Sequence, residues 1–356
     1  MSDADADADA DAAVVVGAAP VAPAPFPWQA GLVTALMAER RRFPHALLLT
    51  GPPGIGKRTL ALCVARALLC ETPRADGDAC GTCASCRYAA AGQHPDLRLV
   101  EPVSVDEEGT VTPQEWIQVD AIRGVIDWAQ LTSHRGVAKV AVIVPAERMN
   151  VAAANALLKT LEEPPPDTYL ILVTAAPGRL PATVRSRCRV VPAPRPTRAA
   201  ARDWLVAQGV AATAADALLA QAGGAPLVAQ TLADPAHQAE RAAWLAGLAT
   251  PSRLSPAVLA ERIDAAPRDE RRERLAHAID WMAGWCADLA HLQAGAPPRR
   301  NADHAGPLTR LAPSVAPIAL FRYHRALLRQ RGLVAHPLTP RLVAESLLTE
   351  YRSLFR

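Results

Sequence analysis

The stretch best suited to chemistry is a glycine-rich loop that ends in a lysine. The segment GPPGIGK contains Gly51, Gly54, Gly56 and Lys57, and it fits the spacing G-x-x-x-x-G-K. Glycines let the backbone approach phosphate oxygens, amides at a helix N-terminus point at the anion, and the lysine adds a charge. Because the loop follows the apolar run HALLLT and opens a helical pattern, the residues predict a phosphate-binding loop.

The side chains that hydrolysis requires are missing around this loop. The residue after Lys57, normally a hydroxyl that binds magnesium, is Arg58, and Thr59 lies about 100° further around the helix. The next strand candidate runs into Val144 and Pro145, where an active enzyme would place a catalytic acid, and Glu147 lies past the strand end. We therefore expect no hydrolysis of ATP by this chain, whereas weak nucleotide binding stays open.

A second candidate site is a group of cysteines. Five of the seven cysteines lie between residues 63 and 86, and four of them follow the pattern C-x9-C-x2-C-x2-C: Cys70, Cys80, Cys83 and Cys86. Thiolates three residues apart can share one tetrahedral zinc, and four thiolates leave no open position for catalysis. We therefore expect a structural zinc. A redox pair from one C-x-x-C is the alternative, and Cys63, Cys188 and Cys286 are expected to be core residues.

Composition excludes several classes of protein. The chain has 356 residues, 50% of them hydrophobic, with a net charge of +3 that is too small to indicate nucleic-acid binding by itself. No apolar run reaches the roughly 20 residues of a membrane span. The N-terminus, MSDADADADADA, is acidic where a secretory signal would be basic, so we expect a cytoplasmic protein with no membrane association.

These candidate sites need elements to position them. The apolar runs HALLLT, KVAVIV and TYLILVT alternate with helical patterns, which predicts a doubly wound parallel sheet up to about residue 195. After that point helical periodicity dominates. The predicted segments are a disordered acidic and Ala-Pro tail, a sheet domain with a zinc module at 70–86, a small helical domain and a helical C-terminal domain: 1–25, 26–195, 196–238 and 239–356.

Together these features resemble the clamp-loader branch of the AAA+ family, from about Phe26 to Pro192. The similarity includes four further segments in order and spacing: GQHPDL, VDAIR, NALLKTLEEPP and RSRC. The resemblance implies an AAA+ P-loop NTPase-like sheet with a zinc insert, a helical lid domain and an all-α collar domain. Since the magnesium ligand and the acid of the motor subunits are absent, the chain is similar to the non-hydrolysing stator subunit.

The family resemblance also implies partners and one catalytic residue. Its members form a hetero-pentameric ring with three motor subunits (gamma/tau) and delta, which loads a sliding clamp onto primed DNA. The SRC motif, here Ser186, Arg187 and Cys188, is expected to present Arg187 as an arginine finger to ATP on the adjacent motor. The chain would then be an accessory subunit of a DNA-directed DNA polymerase (nucleotidyltransferase) holoenzyme, without catalysis of its own.

Alternative interpretations accompany these predictions. Arg187 is otherwise a surface ion-pair residue, and NALLKTLEEPP is otherwise an ordinary buried helix rather than a ring interface or a DNA path with Lys159 near phosphate. For the whole chain, the alternatives are an active gamma/tau-like motor ATPase and a zinc-dependent redox or metal-handling protein. The end of KVAVIV argues against the first, and the phosphate-loop scaffold argues against the second.

Overall fold

The structure, a computed structural model, describes residues 24–105, 111–334 and 339–355. The chain divides into two compact units, Met1–Thr197 and Arg198–Arg356. The predicted acidic tail lies outside the described residues except for its last two positions. The finer division of the second unit into lid and collar stays a prediction.

The first unit is built on a five-stranded, all-parallel sheet with the strand order β2-β5-β6-β1-β7. Three of these strands coincide with the predicted apolar runs. The two others, β2 and β7, escape sequence analysis because each has only four residues and each includes an arginine. A short antiparallel hairpin, β3–β4, stands apart from the sheet. The strands are β1 (Ala46–Thr50), β2 (Leu97–Val100), β3 (Val103–Val105), β4 (Val111–Pro113), β5 (Lys139–Ile143), β6 (Thr168–Thr174) and β7 (Arg189–Pro192).

Both faces of this sheet are buried, which explains why its central strands are continuous apolar runs. In β1, Leu47 and Leu49 face a core that also contains helix α2, whereas Leu48 faces a second core that contains α4 and α5. The predicted α/β class of the first unit, with helices on both faces of a parallel sheet, is thereby confirmed. Its helices are α1 (Ala30–Ala38), α2 (Lys57–Leu69), α3 (Ala84–Ala90), α4 (Val119–Gln130), α5 (Val151–Glu162) and α6 (Ala182–Arg185).

The second unit is helical throughout its described residues, as predicted. Its first three helices share a small core, and the rest pack around Trp244, Trp285 and Tyr351. The Tyr351 hydroxyl accepts a hydrogen bond from Trp285 Nε1 and donates one to the Leu248 carbonyl. No helix of the described residues is both long and apolar enough for a membrane span. The helices are α7 (Arg198–Ala207), α8 (Ala212–Gln221), α9 (Pro226–Leu232), α10 (Pro235–Leu248), α11 (Pro256–Asp264), α12 (Arg271–Gln293), α13 (Ala305–Leu311), α14 (Pro317–Gly332) and α15 (Pro340–Ser353).

Candidate functional site

The glycine-rich loop connects the carboxyl end of β1 to the first turn of α2. Gly54 and Gly56 have φ angles of +73° and +89°, which favour glycine, and Gly56 is the N-cap of α2. A Cβ at Gly56 would also collide with the ring of Phe26. The Ile55 carbonyl accepts a hydrogen bond from the Trp28 indole at 3.0 Å, and another from the Gln29 amide. The segment before α1 is therefore fixed directly against the loop.

Lys57 is turned inward rather than presented to solvent. Its Nζ donates a hydrogen bond of 2.6 Å to the Pro52 carbonyl of the same loop, and the residue is only 8% exposed. Burial lowers the pKa of Lys57, and the charge of Glu147 partly opposes that shift. The loop thus satisfies its own lysine with one of its own carbonyls.

The position of the usual magnesium-binding hydroxyl is occupied by an ion pair. Arg58 donates from Nε and Nη2 to the two carboxylate oxygens of Glu101, both at 2.8 Å. Glu101 directly follows β2, so this bidentate pair ties the start of α2 to the carboxyl end of β2, an edge strand of the sheet. No hydroxyl at this position is available for a metal.

The end of β5 carries no acid, as the sequence indicates. Val144 is buried and is followed by Pro145. Glu147 lies beyond the strand, where Oε1 accepts a hydrogen bond from the Ala175 amide at 3.0 Å. It is nevertheless near enough to act on the charge of Lys57, an effect that sequence analysis does not predict. The glycine-rich loop is retained, whereas positions 58, 144 and 145 carry no group that binds magnesium or activates water.

The four predicted cysteines come together after α2. Their Sγ atoms all lie within 4.8 Å of one another: Cys70, Cys80, Cys83 and Cys86. The Cys70–Cys83 and Cys80–Cys86 sulfur pairs are each 3.9 Å apart, too far for a disulfide bond. A regular tetrahedron with metal–sulfur bonds of about 2.3 Å would have sulfurs about 3.8 Å apart. The cluster therefore has the dimensions of a four-thiolate metal site.

Hydrogen bonds within the cluster favour thiolates. Cys80 Sγ accepts from the Thr72 hydroxyl and from the amides of Thr82 and Cys83, which lower the pKa of Cys80 to about 5. By contrast, burial raises the pKa of Cys70 and of Cys86. A cation at the centre of the cluster would compensate for that burial, since it stabilises the ionised form of each sulfur.

The cysteine cluster is tied to the sheet domain by side chains outside it. Glu71 accepts hydrogen bonds from Arg135 Nε and Nη2 and from the Ser85 hydroxyl, at 2.7–2.9 Å. The Arg135 backbone amide in turn donates to Asp96, which is fully buried at the start of β2. This chain of contacts gives GQHPDL a structural role, because it links the cysteine cluster to the sheet.

The SRC segment lies between the short helix α6 and the edge strand β7. Val184 of α6 is fully buried, and Cys188 packs partly against the same core, where burial raises its pKa to about 11. The predictions that Cys63 and Cys286 are core residues are confirmed, since both are buried. The backbone on either side of Arg187 is thus anchored while the side chain reaches the surface.

The Arg187 guanidinium contacts the C-terminal end of α5. Its Nε donates to Glu162 Oε1 at 2.6 Å, and Nη2 pairs with the same oxygen. Its Nη1 donates to the Thr183 carbonyl at 2.9 Å. In the free chain Arg187 is therefore engaged in an ion pair.

Arg187 and the glycine-rich loop lie at opposite ends of the parallel strands. The parallel register pairs Arg189 with Leu47 and Pro192 with Thr50, so the SRC segment precedes the strand at its amino end. The loop leaves the carboxyl end of β1, after Thr50. The three residue steps from Leu47 to Thr50, of about 3.3 Å each, already separate the amino and carboxyl ends of the strands by about 10 Å. The structure does not bring Arg187 to the chain's own loop.

Comparison with known proteins gives the family. The family model described as "DNA polymerase III, delta subunit" matches residues 31–196. The delta' subunit of DNA polymerase III from Pseudomonas aeruginosa is 39% identical over 272 residues, which cover 75% of this chain and 78% of that relative. The chain belongs to the DNA polymerase III delta' family. The Escherichia coli delta' subunit is 33% identical over 83% of this chain and 85% of its own length.

The delta' family assignment confirms the resemblance inferred from the motifs. The DNA polymerase III tau subunit of Bacillus subtilis is also similar, at 34% identity, but over only 42% of this chain and 24% of that relative. The similarity to delta' subunits extends over a larger share of the chain. This difference agrees with the absence of the magnesium ligand and the acid described above.

Two residues and one contact of this delta' chain matter at the sites but escape sequence analysis. Glu101 is an isolated acid at the end of a strand, and Phe26 belongs to a Pro-rich segment. Glu162 lies in NALLKTLEEPP, but nothing in that segment indicates its contact with Arg187. The partners of all three residues are 25 or more residues away in sequence. Only a substitution series, or the fold itself, would identify them.

Proposed function

We propose that the chain is the non-hydrolysing stator of a DNA polymerase III clamp loader. As a delta' family member it is a clamp-loader subunit. Its specific contribution, in this proposal, is Arg187, which acts in trans on ATP held by a neighbouring motor subunit. A guanidinium placed against the transferred phosphoryl group neutralises the charge that develops there, and such arginines raise hydrolysis rates by about 10³–10⁵-fold.

The observation that carries this proposal is the position of Arg187 at the amino end of the parallel strands. The chain's own glycine-rich loop is at the carboxyl end of the strands. There Arg58 is paired with Glu101, and Lys57 donates a hydrogen bond to a loop carbonyl. An arginine finger at the amino end of the strands would have no substrate within the same chain. It does have an exposed position from which it can contact a nucleotide on another subunit.

The proposed partners follow from the family. They are the gamma/tau motor subunits and delta in a hetero-pentameric ring, with the sliding clamp and primed DNA as substrates of the complex. The chain itself would perform no catalysis and would serve the nucleotidyltransferase holoenzyme as an accessory subunit in the cytoplasm.

For the cysteine cluster we propose structural zinc. Four sulfur ligands within 4.8 Å of one another, with two N–H···S bonds to Cys80, suit a closed tetrahedral site. Zinc bound there would supply a positive charge that holds four thiolates together. Cys70, Cys80, Cys83 and Cys86 would hold it, and the contact from Glu71 to Arg135 would fix the module on the sheet.

The test is to rebuild the complex with Arg187→Ala and wild-type motor subunits. We expect the variant to assemble and to keep its free energy of unfolding within about 0.5 kcal/mol, as is usual for surface substitutions. DNA- and clamp-stimulated ATPase should fall by about one third if one of three motor sites loses its finger, and clamp loading should fall further because the sites act together.

The matched control is Arg179→Ala, which removes an exposed arginine after the carboxyl end of β6. It should leave both rates unchanged. Unchanged ATPase and loading with Arg187→Ala, in a complex of confirmed composition, would remove the finger assignment and leave Arg187 as an ion-pair residue.

A further inference from the structure

Glu162 lies where it can control the availability of Arg187. We propose that Glu162 is a positioning residue that holds the Arg187 guanidinium away from phosphate until the nucleotide of a neighbouring subunit displaces it. The inference rests on the proposed function of Arg187. It adds a residue from α5 to the machinery that acts in trans.

Every nitrogen of the Arg187 guanidinium already donates a hydrogen bond within the chain. Nε and Nη2 donate to Glu162, while Nη1 donates to the Thr183 carbonyl at 2.9 Å and to the Ser186 hydroxyl at 3.4 Å. A finger stabilises phosphate oxygens through these same N–H groups. Pairing with Glu162 and contact with phosphate therefore compete with each other.

The ion pair between Arg187 and Glu162 is of moderate strength. The side chains of Arg187 and Glu162 are 33% and 49% exposed, so solvent screens their attraction. Exposed ion pairs shift an equilibrium by about five-fold at most. A triphosphate carries several negative charges against the single charge of Glu162, so it can displace the carboxylate. The pair is thus strong enough to bias the finger and weak enough to release it.

Release of Arg187 from Glu162 requires only side-chain rotation. The flanking backbone is held by buried Val184 and partly buried Cys188, and the following residues pair with β1. Leu157 and Leu161 fix α5 in the same core, so Glu162 cannot follow the arginine far. Two anchored backbones therefore carry one pair of side chains that can separate without refolding.

The chain supplies a matched control next to Glu162. Glu163 is also exposed, carries the same charge and follows the last residue of α5. Glu163 forms no ion pair with any of the described residues, whereas Glu162 contacts Arg187 directly. A difference between substitutions at these two positions reports the contact rather than the net charge.

The experiment measures ATPase of the rebuilt complex with Glu162→Gln, which keeps the side-chain shape and removes the charge. In the absence of DNA and clamp, we expect kcat at the motor site facing Arg187 to rise about two- to five-fold, with KM for ATP and the melting temperature unchanged. The DNA-stimulated rate should stay the same, because the finger is already released in that state. Glu162→Asp should remain within about twofold of wild type, and Glu163→Gln should match wild type.

A double substitution tests whether Glu162 acts through Arg187. Glu162→Gln combined with Arg187→Ala should behave like Arg187→Ala alone. If Glu162→Gln leaves the unstimulated rate unchanged while Arg187→Ala lowers the stimulated rate, this inference fails and the proposed function stands. If Glu162→Gln lowers the stimulated rate as Arg187→Ala does, Glu162 supports the engaged finger and the holding role is wrong. If Arg187→Ala has no effect, the proposed function itself fails.

Discussion

Removal of metal from the cysteine cluster should unfold the segment after α2 while the sheet persists. The perturbation is a chelator under reducing conditions, or Cys83→Ser, which deletes one ligand. Residues 71–83, which join Cys70 to the helix α3 that contains Cys86, have no regular secondary structure. Apart from its cysteines, the small core of this module contains one buried residue in the described chain, Ala79.

The expected magnitude follows from that poor core. Ordering the backbone of thirteen residues, 71–83, costs about 13 kcal/mol at about 1 kcal/mol each. Burial of one alanine cannot compensate, whereas structural zinc contributes about 10–16 kcal/mol in small zinc domains. The two figures nearly balance, so the module should be ordered with metal and unfolded without it. The sheet has its own cores on both faces and should persist.

The assay is hydrogen exchange with and without chelator, together with metal analysis. The amides of Cys80, Cys83 and Cys86 donate to cluster sulfurs at 3.3–3.4 Å, so their exchange should become fast when metal is removed. Amides of β5 should keep their protection. Cys188→Ser, which removes a thiol outside the cluster, should leave the metal content at one ion per chain.

Two results would refute this reasoning. One is the same slow exchange of residues 71–86 in metal-free and metal-bound protein. The other is the absence of bound metal in reduced protein purified without oxygen. Either would mean that hydrogen bonds and the contact between Glu71 and Arg135 suffice to order the module.

Three further predictions concern the rest of the chain. The isolated chain should show no ATPase above background, and Arg58→Thr should not restore it because the acid at the end of β5 is also missing; turnover sensitive to Lys57→Ala would contradict this. Lys139→Met should lower the free energy of unfolding by about 1–3 kcal/mol in denaturant titration, because the buried Lys139 ammonium donates to carbonyls at the end of α4. Burial lowers the pKa of His237 and His277, so the unfolded chain binds protons at these residues at higher pH than the folded chain does. The melting temperature should therefore be highest above about pH 6.5 and should fall as the pH drops through the folded pKa values. His237→Gln should make the melting temperature depend less steeply on pH.

Local residue patterns were sufficient to predict several parts of this protein. The strands β1, β5 and β6 are continuous apolar runs because both faces of the sheet are buried, and that burial leaves a direct signal in composition. The cysteine cluster was equally predictable, since its ligands lie within 17 residues of one another and short spacing restricts their geometry. The glycine-rich loop between β1 and α2 also depends on adjacent positions.

The three lysines show where local patterns stop being informative. Each lies in a segment that sequence analysis singles out, yet their environments differ completely. Lys57 is folded back onto its loop, Lys139 is buried against helix carbonyls, and Lys159 is exposed. Burial of a long charged side chain depends on which carbonyls the fold brings to it, and that information is not in the neighbouring residues.

The tertiary structure alone decided which way Arg187 points and what holds it. The sequence indicated a finger motif, but its position depends on the sheet. Because β7 lies beside β1 and runs parallel to it, the motif lies at the amino end of the strands, opposite the loop. The partners of Arg58 and Arg187 are 43 and 25 residues away. Such pairs form because separate elements pack side by side, and packing is a property of the whole domain rather than of any short stretch of chain.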